Sequence, residues 1–317
     1  MPATTGFELD YATVTDGVGL LDRSERGKLA LTGKDAKEFL HGQVTQDING
    51  IAPGHGAYAT FLTPKGKMLG DLRVLNTGDE LLLDTERAAL QALFNMIRRY
   101  SLGYDVELHK RTLESGLLSL IGPLADELVE RGGATLSPDE HEHVLMAVAG
   151  SEVRAIRTDT GVDLLCAADE LASVRAAVLE AGAIEVGEEA AEALRIERGR
   201  PRYGIDLDES VIPQEAGLNE RAVSFTKGCY VGQETVARLF YKGKPNRELR
   251  GLRSAEPLAV GTELTLGERV VGTVTSSAQS PRLGPISLAL VRREAPVGAI
   301  VRAGAAHEAV VCALPFD

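Results

Sequence analysis

Residues 224–234 read Ser224-Phe225-Thr226-Lys227-Gly228-Cys229-Tyr230-Val231-Gly232-Gln233-Glu234. Two glycines flank a Cys-Tyr-Val run, which predicts a close bend of the backbone. Lys227 stands two residues before Cys229, and a neighbouring ammonium raises the thiolate fraction of a cysteine. A helix-like run follows from Gly232 to Leu239, and a helix N-terminus also favours a thiolate. Taken alone, these residues admit two readings: a reactive cysteine, or a structural cysteine buried in a turn.

Upstream of this stretch the pattern is mixed. Glu188 to Arg198 reads as a helix stopped at Gly199, and Leu171 to Ala181 as a helix stopped at Gly182. Strands are predicted over Leu117 to Ile121 and Val144 to Val148. Ala89, Leu93, Met96, Ile97 and Tyr100 form one stripe of a helix over Glu86 to Tyr100, with Thr85 as its expected N-cap. Tyr58 to Leu62 and Leu69 to Leu75 read as strands joined by the turn Thr63-Pro64-Lys65-Gly66-Lys67, with a further strand over Glu80 to Asp84. A short helix runs from Gly33 to Leu40.

Downstream the character changes. After the loop Gly243-Lys244-Pro245-Asn246 come short β-rich runs, Leu249 to Leu252, Val270 to Thr275, Ile286 to Val291 and Ala309 to Leu314, punctuated by glycine and proline. That is the pattern of a small all-β barrel or sandwich over residues 247–317, behind a mixed α+β region over residues 1–240. No repeat of fixed period and no regular βαβ rhythm is present.

Composition sets the class. With 317 residues, 44% hydrophobic and 25% charged, the chain is long enough for two domains and is neither disordered nor fibrous. The formal net charge of −12, the absence of Trp and 4% aromatics argue against nucleic acid as a partner. Cys166, Cys229 and Cys312 match no zinc or haem spacing, and three cysteines in a chain of this length predict a reducing compartment. Met1 to Gly6 lacks the basic and apolar segments of a secretory signal, and no apolar run approaches about 18 residues, so a cytoplasmic protein off the membrane is expected. His141-Glu142-His143 makes only a weak metal argument, so no resident metal is expected, and no phosphate-binding glycine loop is present. A lone Cys229 cannot hold an iron–sulfur cluster, which takes about four protein ligands, so any cluster would be shared with a partner.

The stretch from Lys227 to Glu234 resembles the Lys-Gly-Cys-Tyr-x-Gly-Gln-Glu signature of the YgfZ-type folate-binding proteins, in the superfamily of the glycine-cleavage T-protein, an aminomethyltransferase. Every fixed position matches. In order along the chain, Gly54-His55-Gly56-Ala57-Tyr58, Met68-Leu69-Gly70-Asp71-Leu72, Leu194-Arg195-Ile196-Glu197-Arg198-Gly199 with Tyr203-Gly204, and Gly272-Thr273-Val274-Thr275-Ser276 resemble further segments of that superfamily. Gly70 stands where the T-protein has the first residue of an Asp-Asp pair, and the chain lacks its Trp motifs, so the likeness is nearer the YgfZ branch.

The resemblance implies a three-lobed α+β fold: two interleaved mixed lobes around a central hole, followed by a C-terminal all-β barrel. It implies a tetrahydrofolate-binding protein that supports assembly or repair of iron–sulfur clusters, with client enzymes or cluster-assembly proteins as partners. The alternative is a folate-dependent aminomethyltransferase. By the same resemblance Glu197 grips the donor edge of the pterin, Tyr58 and Tyr203 contact the ligand, and Asp71 assists chemistry on the folate. Cys229 and Lys227 form a reactive pair. Arg238 leads a basic run through Lys242, Lys244, Arg247 and Arg250 that would attract an anionic glutamate tail. Read without the resemblance, Glu197 could pair with Arg195 or Arg198, Asp71 with Arg73 or Lys67, the tyrosines could be packing, and the basic run a solvated barrel edge.

Overall fold

The computed structural model describes residues 6–317, so the expectation for residues 1–5 lies outside it. The chain opens with helix α1 (Gly6–Asp16), strands β1 (Gly19–Asp22) and β2 (Gly27–Thr32), and helix α2 (Ala36–Gln43). Strands β3 (His55–Leu62), β4 (Met68–Asn76) and β5 (Leu81–Thr85), helix α3 (Arg87–Tyr100) and strand β6 (Glu107–Lys110) follow. Next come β7 (Ser115–Ile121), α4 (Ala125–Arg131), β8 (His143–Val148), β9 (Ser151–Arg157), β10 (Gly161–Ala167), α5 (Leu171–Glu180), β11 (Ile184–Glu185) and α6 (Glu188–Glu197). Helices α7 (Asn219–Ala222) and α8 (Gln233–Lys242) lead into β12 (Arg247–Ser254), β13 (Glu263–Leu266), β14 (Arg269–Ser280), β15 (Gly284–Arg292), β16 (Ile300–Ala303) and β17 (His307–Cys312).

These elements make two α+β lobes and a barrel. The first lobe carries a five-stranded sheet in the order β3-β4-β5-β2-β6, the second a six-stranded sheet β11-β1-β7-β10-β9-β8. The barrel closes in the order β12-β15-β14-β13-β16-β17. Closure leaves no free edge strand. The lobes are interleaved in sequence. Strand β1 belongs to the second sheet yet precedes the whole first lobe, and Tyr203, Leu218, Tyr230 and Val236 return from beyond α6 to the first lobe's core.

Local sequence explains the central elements. Strand β4 is buried along almost its whole length, as its Leu- and Val-rich run requires of a strand covered on both faces. Ala89, Leu93, Met96 and Ile97 bury the predicted stripe of α3, while Tyr100 at its end is 40% exposed. Thr85 is not the N-cap of that helix. It is the last residue of β5, and its hydroxyl donates to the carbonyl of Asp71 on β4, so Glu86 takes the cap position. Gly199 ends α6 at φ +64°, the left-handed conformation that glycine adopts without strain. A Cβ there would lie 2.7 Å from Cβ of Leu314, so the glycine also lets the C-terminal tail dock. The tail then donates from the Phe316 amide to the Glu197 carbonyl at 2.9 Å.

Helices α1 and α6 join the second lobe to the barrel. Tyr11, Val14, Ala190, Ala193 and Leu194 form one cluster with Ile121 of the second sheet and Ala278 of the barrel. Arg73 on β4 ties the lobes together, pairing with Asp84 of its own sheet and with Asp163 of the other, both at 2.6 Å. Among the described residues no helix is long and apolar enough to cross a membrane.

Candidate functional site

Two adjoining cavities lie where the three parts meet. The larger is about 920 Å³ and the smaller about 250 Å³, and both are walled by Glu140, Thr158, Asp159, Thr160 and Leu194. Tyr11, Arg157, Glu197, Arg198, Arg282 and Phe316 help to line the larger one, so helices α1 and α6, the second lobe and the barrel contribute. Tyr58, Asp71, Arg73, His141, Tyr203 and Arg221 help to line the smaller one.

Glu197 is the last residue of α6 and only 3% exposed. A buried carboxylate needs donors, and three converge on it. Its Oε1 accepts from the Tyr11 hydroxyl at 2.7 Å and from the Ser280 hydroxyl. Its Oε2 is met by the guanidinium of Arg282 at 3.3 Å. Neither Arg195 nor Arg198 pairs with it. Arg195 instead holds Glu192 and Asp206 and donates to Ser276 of the barrel, while Arg198 donates to the Asp159 carbonyl.

Tyr58 on β3 and Asp71 on β4 are diagonal neighbours across the hairpin, and the Tyr58 hydroxyl donates to Asp71 Oδ2 at 2.7 Å. Asp71 makes no surface salt bridge, because Arg73 is taken by Asp84 and Asp163 and Lys67 by the Ser210 carbonyl and Glu215. Burial pushes the Asp71 carboxyl up to about 6, while the Tyr58 hydrogen bond partly opposes the shift. Burial and the facing carboxylate hold the Tyr58 phenol well above its ordinary value. The Arg221 guanidinium lies 5.1 Å from the Tyr58 ring centroid and pairs with Glu140. Tyr203 is buried in the first lobe's core, and burial pushes its phenol up to about 12.

The Lys227 to Glu234 stretch is anchored at three points. The Lys227 ammonium donates to the carbonyls of His41, Val44 and Gln46, at the end of α2 and just beyond it. Tyr230 is buried in the core. Gly232, at φ +85°, caps α8 and lies so close to the β3–β4 turn that a Cβ would meet the Thr63 carbonyl at 2.6 Å. Gly228, by contrast, has open space around it. What the anchors leave outside is Cys229, which is exposed. Farther along, Phe240 of α8 stacks on Phe225 of the preceding loop at 3.7 Å, and Tyr241 meets Phe240 edge-on at 5.0 Å.

The structure thus brings Tyr58, Asp71 and Tyr203 to one cavity and Glu197 to its neighbour. It does not bring Cys229, Lys227 or Arg238 to either. Arg238 is exposed on α8, Arg247 pairs with Glu215, and Arg250 with Glu248. The cations that do face the larger cavity, Arg157, Arg198 and Arg282, were not singled out from the sequence. Nor were Tyr11, Ser280, His141 and Arg221 as members of a site; each is brought there by a contact distant in sequence, as with the 186 positions between Tyr11 and Glu197. Among the described residues no group of three or more His, Cys, Asp or Glu could hold a metal ion.

Comparison with known proteins gives a consistent result. Residues 2–227 match the family model of the GCVT N-terminal domain, and residues 247–317 that of the glycine cleavage T-protein C-terminal barrel domain. An aminomethyltransferase of Rubrobacter xylanophilus is 31% identical over 92% of this chain and 81% of its own length. A chloroplastic protein of Arabidopsis thaliana, named as a putative transferase, is 28% identical over 95% of this chain and 72% of its own. The crystal structure of the glycine cleavage system aminomethyltransferase T from Bartonella henselae superposes with a TM-score of 0.89, covering 100% of this chain and 91% of that one at 23% identity, and so shares the fold. With both domain models matched in order and the three-part architecture in place, the chain belongs to the glycine-cleavage T-protein family.

Proposed function

We propose that this protein binds tetrahydrofolate in the paired cavities and, through Cys229, supports the assembly or repair of iron–sulfur clusters in client enzymes. The observation that carries the folate reading is Glu197, a buried carboxylate in the wall of a cavity of about 920 Å³. A carboxylate has about four acceptor sites. Two are taken on Oε1 by hydroxyls, and the donor on Oε2, Arg282, is 58% exposed at the side chain and free to swing aside. Oε2 therefore suits an N–H of a pterin edge. Arg157, Arg198 and Arg282 suit the carboxylates of a glutamate tail. When bound, tetrahydrofolate supplies ring and anilino nitrogens that accept a one-carbon unit. Tyr58 and Asp71 would orient the ligand in the smaller cavity and hold a proton on the Tyr58 oxygen.

The client reading rests on Cys229. An exposed thiol held outside the cavity by three anchors suits a reaction with another macromolecule. Phe240 and Tyr241 on α8, 46% and 66% exposed, and the exposed Arg238 of the same helix are residue types that interfaces use as anchors.

A second reading, a folate-dependent aminomethyltransferase, is favoured by Asp71, whose carboxyl titrates at about 6 and could manage a proton near neutrality. Against it stands Gly70. A Cβ there would lie 2.6 Å from Ala89 Cβ and from the Phe61 ring, which leaves no room for the first aspartate of the T-protein pair.

Calorimetry with tetrahydrofolate tests the folate reading. The wild type should bind and Glu197→Gln should bind at least tenfold more weakly; no heat up to about 1 mM removes the reading. In cells lacking the protein, wild type but not Cys229→Ser should restore iron–sulfur enzyme activity. Methylene transfer from an aminomethyl-loaded lipoyl protein would instead establish the second reading.

A further inference from the structure

Among the described residues, β3, β6, β8 and β11 stand at the edges of the two open sheets. Three of these edges are blunted. β11 is two residues long, and β6 has four residues that include Glu107, His109 and Lys110. β3 is covered near its end by Val44, bridged to Phe61, and by Thr45, whose amide donates to the Thr60 carbonyl at 2.9 Å. At its start, a Cβ on Gly56 would meet the His141 carbonyl at 2.9 Å. Shortness, charge and cover are the usual protections of a sheet edge. Strand β8 lacks them from Val144 onward. Val144-Leu145-Met146-Ala147-Val148 carries no charge and no proline, and its register with β9 runs without a bulge.

The open groups of β8 follow from the ladder. The Arg157 amide donates to the Glu142 carbonyl at 2.8 Å, whereas the His143 amide points away from β9 and donates to the Gly54 carbonyl at 2.8 Å. An antiparallel ladder alternates, so the N–H and C=O of Leu145 and Ala147 also point away from β9. Among the described residues no backbone group meets these four. Leu145 is 47% exposed, and Ala147 is exposed beside it. On the opposite face Val144, Met146 and Val148 are only half-buried against the second lobe's core. Met146 and Val148 there border an apolar cavity of about 240 Å³ that Leu120, Leu128 and Val178 also wall.

We propose that β8 is a self-association edge, pairing antiparallel with β8 of a second copy of this chain about a two-fold axis at Met146. That axis sets Leu145 opposite Ala147 of the partner subunit, and Ala147 opposite Leu145 of the partner subunit. Both are pairs that exchange two N–H···O bonds, so the four open groups of each copy are all satisfied. Met146 meets its own counterpart, and Val144 meets Val148 of the partner subunit. Every cross-strand pair is apolar, and no like charges are opposed, on a chain whose net charge is −12. The strand is thus complementary to itself, as an isologous interface requires. The added strand also shields the half-buried Val144, Met146 and Val148. Five residues give an edge of about 17 Å per copy. That is too short to bury the roughly 1,000 Å² of a stable interface, so the dimer is weak and reversible.

The test uses the full chain in about 0.5 M NaCl, where repulsion between two acidic copies is screened. Sedimentation velocity should show the 33.7 kDa monomer when dilute and a reversible dimer when concentrated. The change should fall between about 1 μM and about 500 μM. Ala147→Pro removes an N–H that the fold itself does not use, and proline is tolerated at such an edge position. Leu145→Lys places an ammonium on the edge. Each should weaken dimerisation at least tenfold, roughly, and leave the melting temperature nearly unchanged. Deuterium uptake of residues 143–149, read by mass spectrometry, should slow in wild type as the dimer forms. A chain still monomeric at about 500 μM, a dimer that both variants leave intact, or assemblies larger than a dimer would overturn the proposal. Should the variants fail to fold, uptake in wild type decides: slowing with concentration supports the edge pairing, and uptake independent of concentration refutes it.

Discussion

The Tyr58 hydroxyl and Asp71 Oδ2 lie 2.7 Å apart across a two-stranded hairpin, with the carboxyl almost wholly out of water. Tyr58 is the donor, so the pair is stable only while the phenol keeps its proton. Burial and the carboxylate both favour that state.

Asp71 makes the first prediction. Its carboxyl titrates at about 6 in the folded chain, above its value of 3.8 when unfolded. The folded state therefore binds that proton more tightly. The stability this gives is full below about pH 4 and is lost as pH rises through about 6. Asp71→Asn keeps an acceptor for Tyr58 and removes the charge. At pH 7 it should be more stable than wild type by about 1–3 kcal/mol in urea unfolding, with the gap closing at pH 4. Equal stabilities at both pH values would contradict the burial argument.

Lys227 should matter to stability before it matters to chemistry. Its ammonium satisfies three carbonyls at and beyond the end of α2. Lys227→Met leaves them without that donor and should lower unfolding free energy by about 2–3 kcal/mol. A variant with an unchanged urea midpoint would show that these bonds add nothing net.

The cysteines should react in order. Cys229 is exposed, whereas Cys166 is buried and its thiol is pushed up to about 11, mainly by burial and then by Glu170. Iodoacetamide at about pH 8 should alkylate Cys229 in the folded protein and Cys166 only after unfolding, read by peptide mass spectrometry. Cys229→Ser should change stability by no more than about 0.5 kcal/mol. Equal labelling rates would refute the exposure difference.

Gly70→Asp should fail by packing. The new Cβ would press on Ala89 and Phe61, both fully buried, so a loss of about 3 kcal/mol or more is expected. Thermal melting of Gly70→Ala separates the steric part from the charge. If both variants melt as wild type does, the contact is softer than its distances imply.

Much of the architecture was legible because it follows short-range rules. The α3 stripe, the Thr63–Lys67 turn and the stop at Gly199 are set by period and by dihedral preference. The barrel strands β13 and β16 escaped because each is four residues with few buried positions. Thr85 misled because its hydroxyl, a good cap by type, was claimed by a neighbouring strand. In the site, Glu197 and Tyr58 stood out only through the family likeness. Asp71, the partner of Tyr58, stood out the same way, but the partners of Glu197 did not: Ser280 lies 83 positions from it, and no local pattern marks it. Lys227 was legible as part of a motif, but the sequence could not show that backbone carbonyls, and not the thiol, receive its protons.

The interleaving has a consequence for how this protein is made. As it leaves the ribosome, Gly19–Asp22 emerges long before Ser115–Ile121, the strand it pairs with. The first sheet emerges complete by Lys110 but lacks Tyr230 and Val236 of its interior until the chain is three-quarters translated. Neither half can finish alone during synthesis, so nascent chains should expose unfinished apolar faces for most of translation. Truncation at any point before α8 should yield aggregates in place of a working fragment.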